Sequence, residues 1–89
     1  MILANHKDAA KRAVQAGKRR LRNRADRTRM RNQIQALRTA LTGADKDKMQ
    51  AEFREAVSVI QQLAAKGVIH RNQADRRVSR LAAALKAKR

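Results

Sequence analysis

The chain has 89 residues, enough for one small domain. It carries 23 Lys and Arg against 7 Asp and Glu, a formal net charge of +16, so self-repulsion opposes compaction and a polyanion would relieve it. It contains no Cys, Pro, Trp or Tyr and one Phe, which excludes a disulfide scaffold and the common Cys-based zinc modules.

Three polyanions fit such a charge: nucleic acid, an anionic membrane surface or an acidic protein. No apolar run approaches the ~20 residues that span a bilayer. The start, Met1-Ile2-Leu3-Ala4-Asn5-His6-Lys7, lacks the apolar stretch of a signal peptide, and a cytosolic location is expected. Ala, Arg, Lys, Gln and Leu dominate and favour helix. The residues that strands prefer are scarce.

The charge is unevenly spread. Residues 1–38 carry a net +10, residues 39–66 net zero, and residues 67–89 net +6. A purely solubilising surface would mix its signs.

The first helix is expected from about Asp8 to Thr42, with Asp8 as its N-cap and Asn5 as the competing cap. Met30, Ile34, Leu37 and Leu41 fall on one face. Upstream that stripe fades. From Lys18 to Arg31, 8 of 14 residues are Lys or Arg, placed around the helix. Such a segment has nothing to pack against within its own chain. It reads as a projecting arm, ordered in part by its partner. Gly17 lies inside it, where a glycine serves close approach to a nucleic-acid backbone or a hinge, or is simply tolerated.

A second helix is expected from Asp45 or Asp47 to Lys66, with a stripe of Met49, Phe53, Ala56, Val57, Ile60, Leu63 and Ala64. Gly43 and Gly67 read as left-handed residues closing the first and second helices. A third helix is expected from Asn72 to about Lys86, with Asn72 as cap, Asp75 three residues on, and Ala74, Val78, Leu81 and Leu85 as its stripe. The fold class is therefore all-α: one domain over 1–89, a three-helix bundle with a long, basic first helix projecting as an arm over 1–29 and a core over 30–89.

The chemistry follows from the basic residues. Lys18, Arg19, Arg20, Arg22, Asn23 and Arg24, continuing through Arg27, Arg29 and Arg31, suit phosphate, which a guanidinium grips with two parallel N–H bonds. Only Asp26 interrupts that run, so the like charges lack relief within the helix. His70, Arg71, Asn72, Arg76, Arg77 and Arg80 form a second basic group at the start of the third helix, where free N–H groups also favour anions. Glu52 and Glu55 read as surface and helix-dipole carboxylates rather than a catalytic pair. No nucleophile triad, phosphate-cradling glycine loop or metal-ligand cluster is present. No enzymatic activity, metal, cofactor or small-molecule substrate is expected. With one Phe, base stacking on a single strand is disfavoured. Binding by shape and charge to folded RNA remains, with a DNA-compacting role as the alternative. A membrane-surface helix would want a strongly apolar face that the basic half of the first helix lacks. The stripes are too short for a coiled coil.

Two stretches carry a resemblance. The first is Ala4-Asn5-His6-Lys7-Asp8-Ala9-Ala10-Lys11-Arg12-Ala13-Val14-Gln15 with Lys18-Arg19-Arg20 and Asn23. The second is Ala64-Ala65-Lys66-Gly67-Val68-Ile69-His70-Arg71-Asn72 with Ala74 and Arg76. Together they resemble the S-twenty family of bacterial small-subunit ribosomal proteins over nearly the whole chain. Asp8, standing where that family would have Ser, departs from the pattern. The resemblance implies a three-helix bundle whose long first helix lies against 16S ribosomal RNA, among other 30S components, early in subunit assembly. It implies RNA contacts at Lys7, Lys11, Arg12, Lys18, Arg19, Arg20, Asn23, His70, Arg71, Asn72 and Arg76.

Overall fold

A computed structural model describes residues 2–88, with side chains from Asp8 onward. Three helices follow in order: α1 over Ile2–Leu41, α2 over Lys46–Lys66 and α3 over Arg71–Ala87. No strand occurs among the described residues. The molecule measures 65 × 20 × 13 Å, and its length is that of α1, whose 40 residues make a rod of about 60 Å.

α2 lies in the middle. It packs against α1 on one side and α3 on the other, while α1 and α3 meet only marginally. The core holds Met30, Ile34, Leu37, Ala40 and Leu41 of α1, Met49, Ala56, Val59, Ile60 and Leu63 of α2, Val68 and Ile69 of the junction, and Ala74, Leu81 and Leu85 of α3. Phe53, Ala64 and Val78 lean on it half-buried. Among the described residues no polar or charged side chain is buried there. Burial on α1 begins at Met30. From Asp8 to Arg29 every side chain is exposed except those of Asn23 and Asp26, with Gly17 also half-buried.

The helix ends show what the chain uses in place of proline. α1 begins at Ile2, so Asp8 and Asn5 lie inside the helix instead of capping it. The segment before Asp8 contains no helix breaker, and nothing forces a start there. At the other end Gly43 is not left-handed. Thr42 and Gly43 donate their backbone N–H groups to the carbonyls of Thr39 and Ala40, and the Thr42 hydroxyl donates to Thr39 at 2.6 Å. That tight last turn satisfies the carbonyls without a glycine conformation. α2 starts at Asp45, whose carboxylate accepts from the Lys48 N–H at 3.1 Å, the usual geometry of an N-cap.

α2 stops at Gly67, with φ of 80°. Gly67 N–H donates to Ala64 O and Val68 N–H donates to Leu63 O. This is the Schellman arrangement, sealed by burial of both Leu63 and Val68. Gly67→Ala meets open space around its new Cβ, so its cost is conformational, about 1–2 kcal/mol. A thermal melt should show that loss, whereas Gly43→Ala, without positive φ, should melt close to the wild type. Equal melting of both variants would remove the left-handed turn from the account.

α3 corrects the sequence reading by two residues. His70, extended at φ −72° and ψ 145°, is the N-cap, and its Nδ1 accepts from Asn72 N–H at 3.1 Å. Asn72 sits exposed in the first turn and no capping box with Asp75 forms. The reason lies in the junction. Burial of Val68 and Ile69 pins the chain so that helix resumes at Arg71, and the cap falls to whatever residue stands at position 70.

The solvated half of α1 has only its own backbone bonds to hold it, and isolated helices are marginal in water. Amide exchange in the free protein is therefore expected to be fast over residues 8–25 and slow over Ile60 and Leu63. Protection of the arm equal to that of α2 would contradict this.

Candidate nucleic-acid interface

The basic residues fall into an ordered pattern once α1 is drawn at about 3.6 residues per turn. Ala10, Val14, Leu21, Ala25, Thr28 and Asn32 form one exposed, uncharged strip on the side away from Met30, Ile34, Leu37 and Leu41. Val14 is 58% exposed and Leu21 67%. Lys11, Lys18, Arg22 and Arg29 run along one border of the strip, and Arg20, Arg24, Arg27 and Arg31 along the other. A shallow groove of about 640 Å³ lies along it, lined by Leu21, Arg24, Ala25, Thr28, Arg29, Asn32 and Gln33. The cations thus do surround the helix, as its sequence indicates, but they leave a gap. The gap is visible in the sequence only as charge missing at helical spacing.

The other predicted residues gather where α1 passes the α2–α3 junction. Arg19, Arg22, Asn23 and Asp26 of α1 face Lys66, Gly67 and Val68 across a cleft of about 620 Å³. There Lys66 Nζ stands 3.8 Å from Asp26 Oδ2. Lys66 is more than half exposed, and such a pair contributes at most about 1 kcal/mol. On the opposite side of the junction, Arg27, Met30 and Arg31 of α1 face Val68, Ile69, Gln73 and Arg77. Arg27 Nη2 donates to the Val68 carbonyl at 3.4 Å. Further along, Gln33 Nε2 donates to Glu52 Oε2 at 2.7 Å and fixes α1 against α2.

Lys11, Arg12, Lys18, Arg20 and Arg24 are exposed along the arm and do not line these clefts. His70, Arg71, Asn72 and Arg76 are exposed at the start of α3. Arg71 turns to a separate hollow with Gln61, Ala64 and Asp75. Lys7 lies outside the residues with described side chains. Lys66 lines the junction cleft although its sequence position suggests only a favourable helix-end charge. Its place beside Gly67, between two basic stretches, was the available signal. Among the described residues no group of three His, Cys, Asp or Glu side chains could hold a metal ion, and no helix is long and apolar enough to cross a membrane.

The arrangement is a basic surface on two helices that approach each other at the junction. Residues 4–86 match the family model described as Ribosomal protein S20. The chain belongs to the ribosomal protein S20 family. It is 49% identical over 83 residues to small ribosomal subunit protein bS20 of Oleidesulfovibrio alaskensis, covering 93% of this chain and 95% of that protein. It is 48% identical over 86 residues to bS20 of Koribacter versatilis, covering 97% of each. A match across nearly the full length of both chains includes the arm and the junction alike, so the S20 family assignment covers both basic faces.

Proposed function

We propose that the protein is a structural constituent of the small ribosomal subunit that binds folded 16S ribosomal RNA directly and stabilises it during 30S assembly. The observation that carries this reading is the joining of the two basic faces at the junction, supported by the S20 family membership. Arg19, Arg22 and Arg27 of α1 line clefts that share Val68, and Arg77 of α3 lines one of them, so one folded chain can grip two parts of a folded RNA at once.

The arm suits a double helix. Two rows of cations border an uncharged strip, and an RNA groove offers two phosphate rows bordering sugars and base edges. A helix about 10–12 Å across meets the wide, shallow minor groove of A-form RNA more readily than its narrow major groove. Lys11, Lys18, Arg20, Arg22, Arg24, Arg27 and Arg31 contact phosphates in this reading, while Arg12, Arg19 and Asn23 face the cleft side of α1. At the junction His70, Arg71, Asn72, Arg76 and Arg77 make the second set of contacts. Phosphate contacts position the protein, and folded shape supplies specificity. The reading assigns no catalysis and places the protein with other 30S components in the cytoplasm.

A competition assay tests it. Labelled 16S RNA bound to the full chain at physiological salt is challenged with excess duplex DNA, tRNA or anionic vesicles. Effective competition by unlabelled 16S RNA alone is the expected result. Equal competition by duplex DNA would replace this reading with DNA compaction.

A further inference from the structure

We propose that Thr28, Asn32 and Gln35 of α1 tell RNA from DNA, through hydrogen bonds to ribose 2′-hydroxyls. This rests on the RNA-binding reading above and names uncharged residues, outside the phosphate contacts, that supply its specificity. The three stand at i, i+4 and i+7 and are all exposed, so they share the face of α1 turned away from the buried stripe of Met30, Ile34 and Leu37. They continue the uncharged strip of Leu21 and Ala25 toward the bundle. Thr28 and Asn32 line the shallow groove along that strip, with Arg24 and Arg29 in the same lining, and Gln35 follows one turn on. The matching occupant carries negative charge at its edges and neutral groups at its centre. A nucleic-acid groove has that cross-section.

The helix itself does not call for these residues. Thr and Asn rank low among helix formers, below the Ala, Arg and Gln that dominate α1. Among the described residues neither Thr28 nor Asn32 makes a side-chain hydrogen bond. Gln33 also lines the groove, but its amide donates to Glu52 at 2.7 Å, which commits it to packing. The chemistry of the strip differs from that of its borders. A hydroxyl or a carboxamide both donates and accepts hydrogen bonds, whereas Lys and Arg only donate. The ribose 2′-hydroxyl likewise donates and accepts, and the wide, shallow minor groove of A-form RNA displays it. Duplex DNA lacks that hydroxyl, and its minor groove, about 6 Å wide, is too narrow for a helix about 10–12 Å across. Cations along the borders attract either nucleic acid, and the uncharged strip between them accepts only one.

The test compares the full chain with a variant carrying Thr28→Ala, Asn32→Ala and Gln35→Ala, in binding to 16S RNA and to duplex DNA over a range of salt concentrations. The substitutions keep the charge and favour helix, so helicity and melting should not fall. Affinity for 16S RNA should drop at least roughly tenfold, as expected for several hydrogen bonds lost. The slope of log K against log salt should stay unchanged, because no phosphate contact is removed. Affinity for duplex DNA should not move. Thr28→Ser with Asn32→Gln retains the donors and acceptors and should bind 16S RNA like the wild type. Unchanged RNA affinity in the alanine variant, an equal loss on RNA and DNA, or a flattened salt slope would overturn the assignment and leave the RNA reading standing. A wild type that binds duplex DNA as tightly as 16S RNA would overturn both.

Discussion

Ile60→Ala is expected to lower the melting temperature of the free protein by roughly 10–30 °C. Ile60 is fully buried, next to Val59 and one turn from the fully buried Leu63, in the helix that packs against both others. Truncating a buried isoleucine to alanine costs about 2–5 kcal/mol. For a domain of this size each kcal/mol lowers the melting point by about 4–8 °C. Total stability of small domains is only about 5–15 kcal/mol, and a net charge of +16 pushes this one toward the lower end. Far-UV circular dichroism against temperature measures the effect. Val14→Ala, at a site 58% exposed, serves as the control and should stay within about 0.5 kcal/mol of the wild type. An Ile60→Ala melt matching the Val14→Ala melt would show that α2 is not the centre of the fold. On the proposed function, 16S RNA should restore part of the loss, because a ligand of the folded state stabilises it.

Replacing Arg19, Arg20 and Arg22 together with Gln should weaken binding to 16S RNA and flatten its salt dependence. All three are exposed, so folding should be little changed. Each phosphate contact releases counterions, so removing three should reduce the slope of log K against log salt by roughly 2–3. Binding isotherms over a range of salt concentrations supply the slope. The three residues do not point alike: Arg22 borders the uncharged strip and lines the junction cleft with Arg19, and Arg20 lies on the opposite border. An unchanged slope would remove the arm from the binding account.

Much of the fold is legible in the sequence because the helical stripes are clean. Met30, Ile34, Leu37 and Leu41 are all buried, and so are Ala74, Leu81 and Leu85. α2 is read less completely. Val59 is buried yet lies off the expected stripe, because a helix packed on two sides buries a broader arc than one stripe. Phe53 sits half-buried against the core instead of within it. Gly67 is left-handed as its position predicts, and Gly43 is not, since the carbonyls at that helix end are satisfied by a tight turn. The shift of the cap from Asn72 to His70 was not legible, because it depends on tertiary burial of Val68 and Ile69. The basic residues of the candidate interface are plain in the sequence. Which of them converge is not: Arg27, Arg31 and Arg77 meet across some 50 residues of chain, and only packing of α1 beside the junction brings them together.

The claim that two basic faces grip one folded RNA is tested most directly by hydroxyl-radical footprinting of 16S RNA with the wild type, the arm variant and a junction variant, Arg71→Gln with Arg76→Gln. Both substituted junction residues are exposed at the start of α3. The account predicts two discrete sets of protected nucleotides, one lost with the arm variant and the other with the junction variant. A single set that fades equally with either variant, or protection spread without pattern along the RNA, would contradict it.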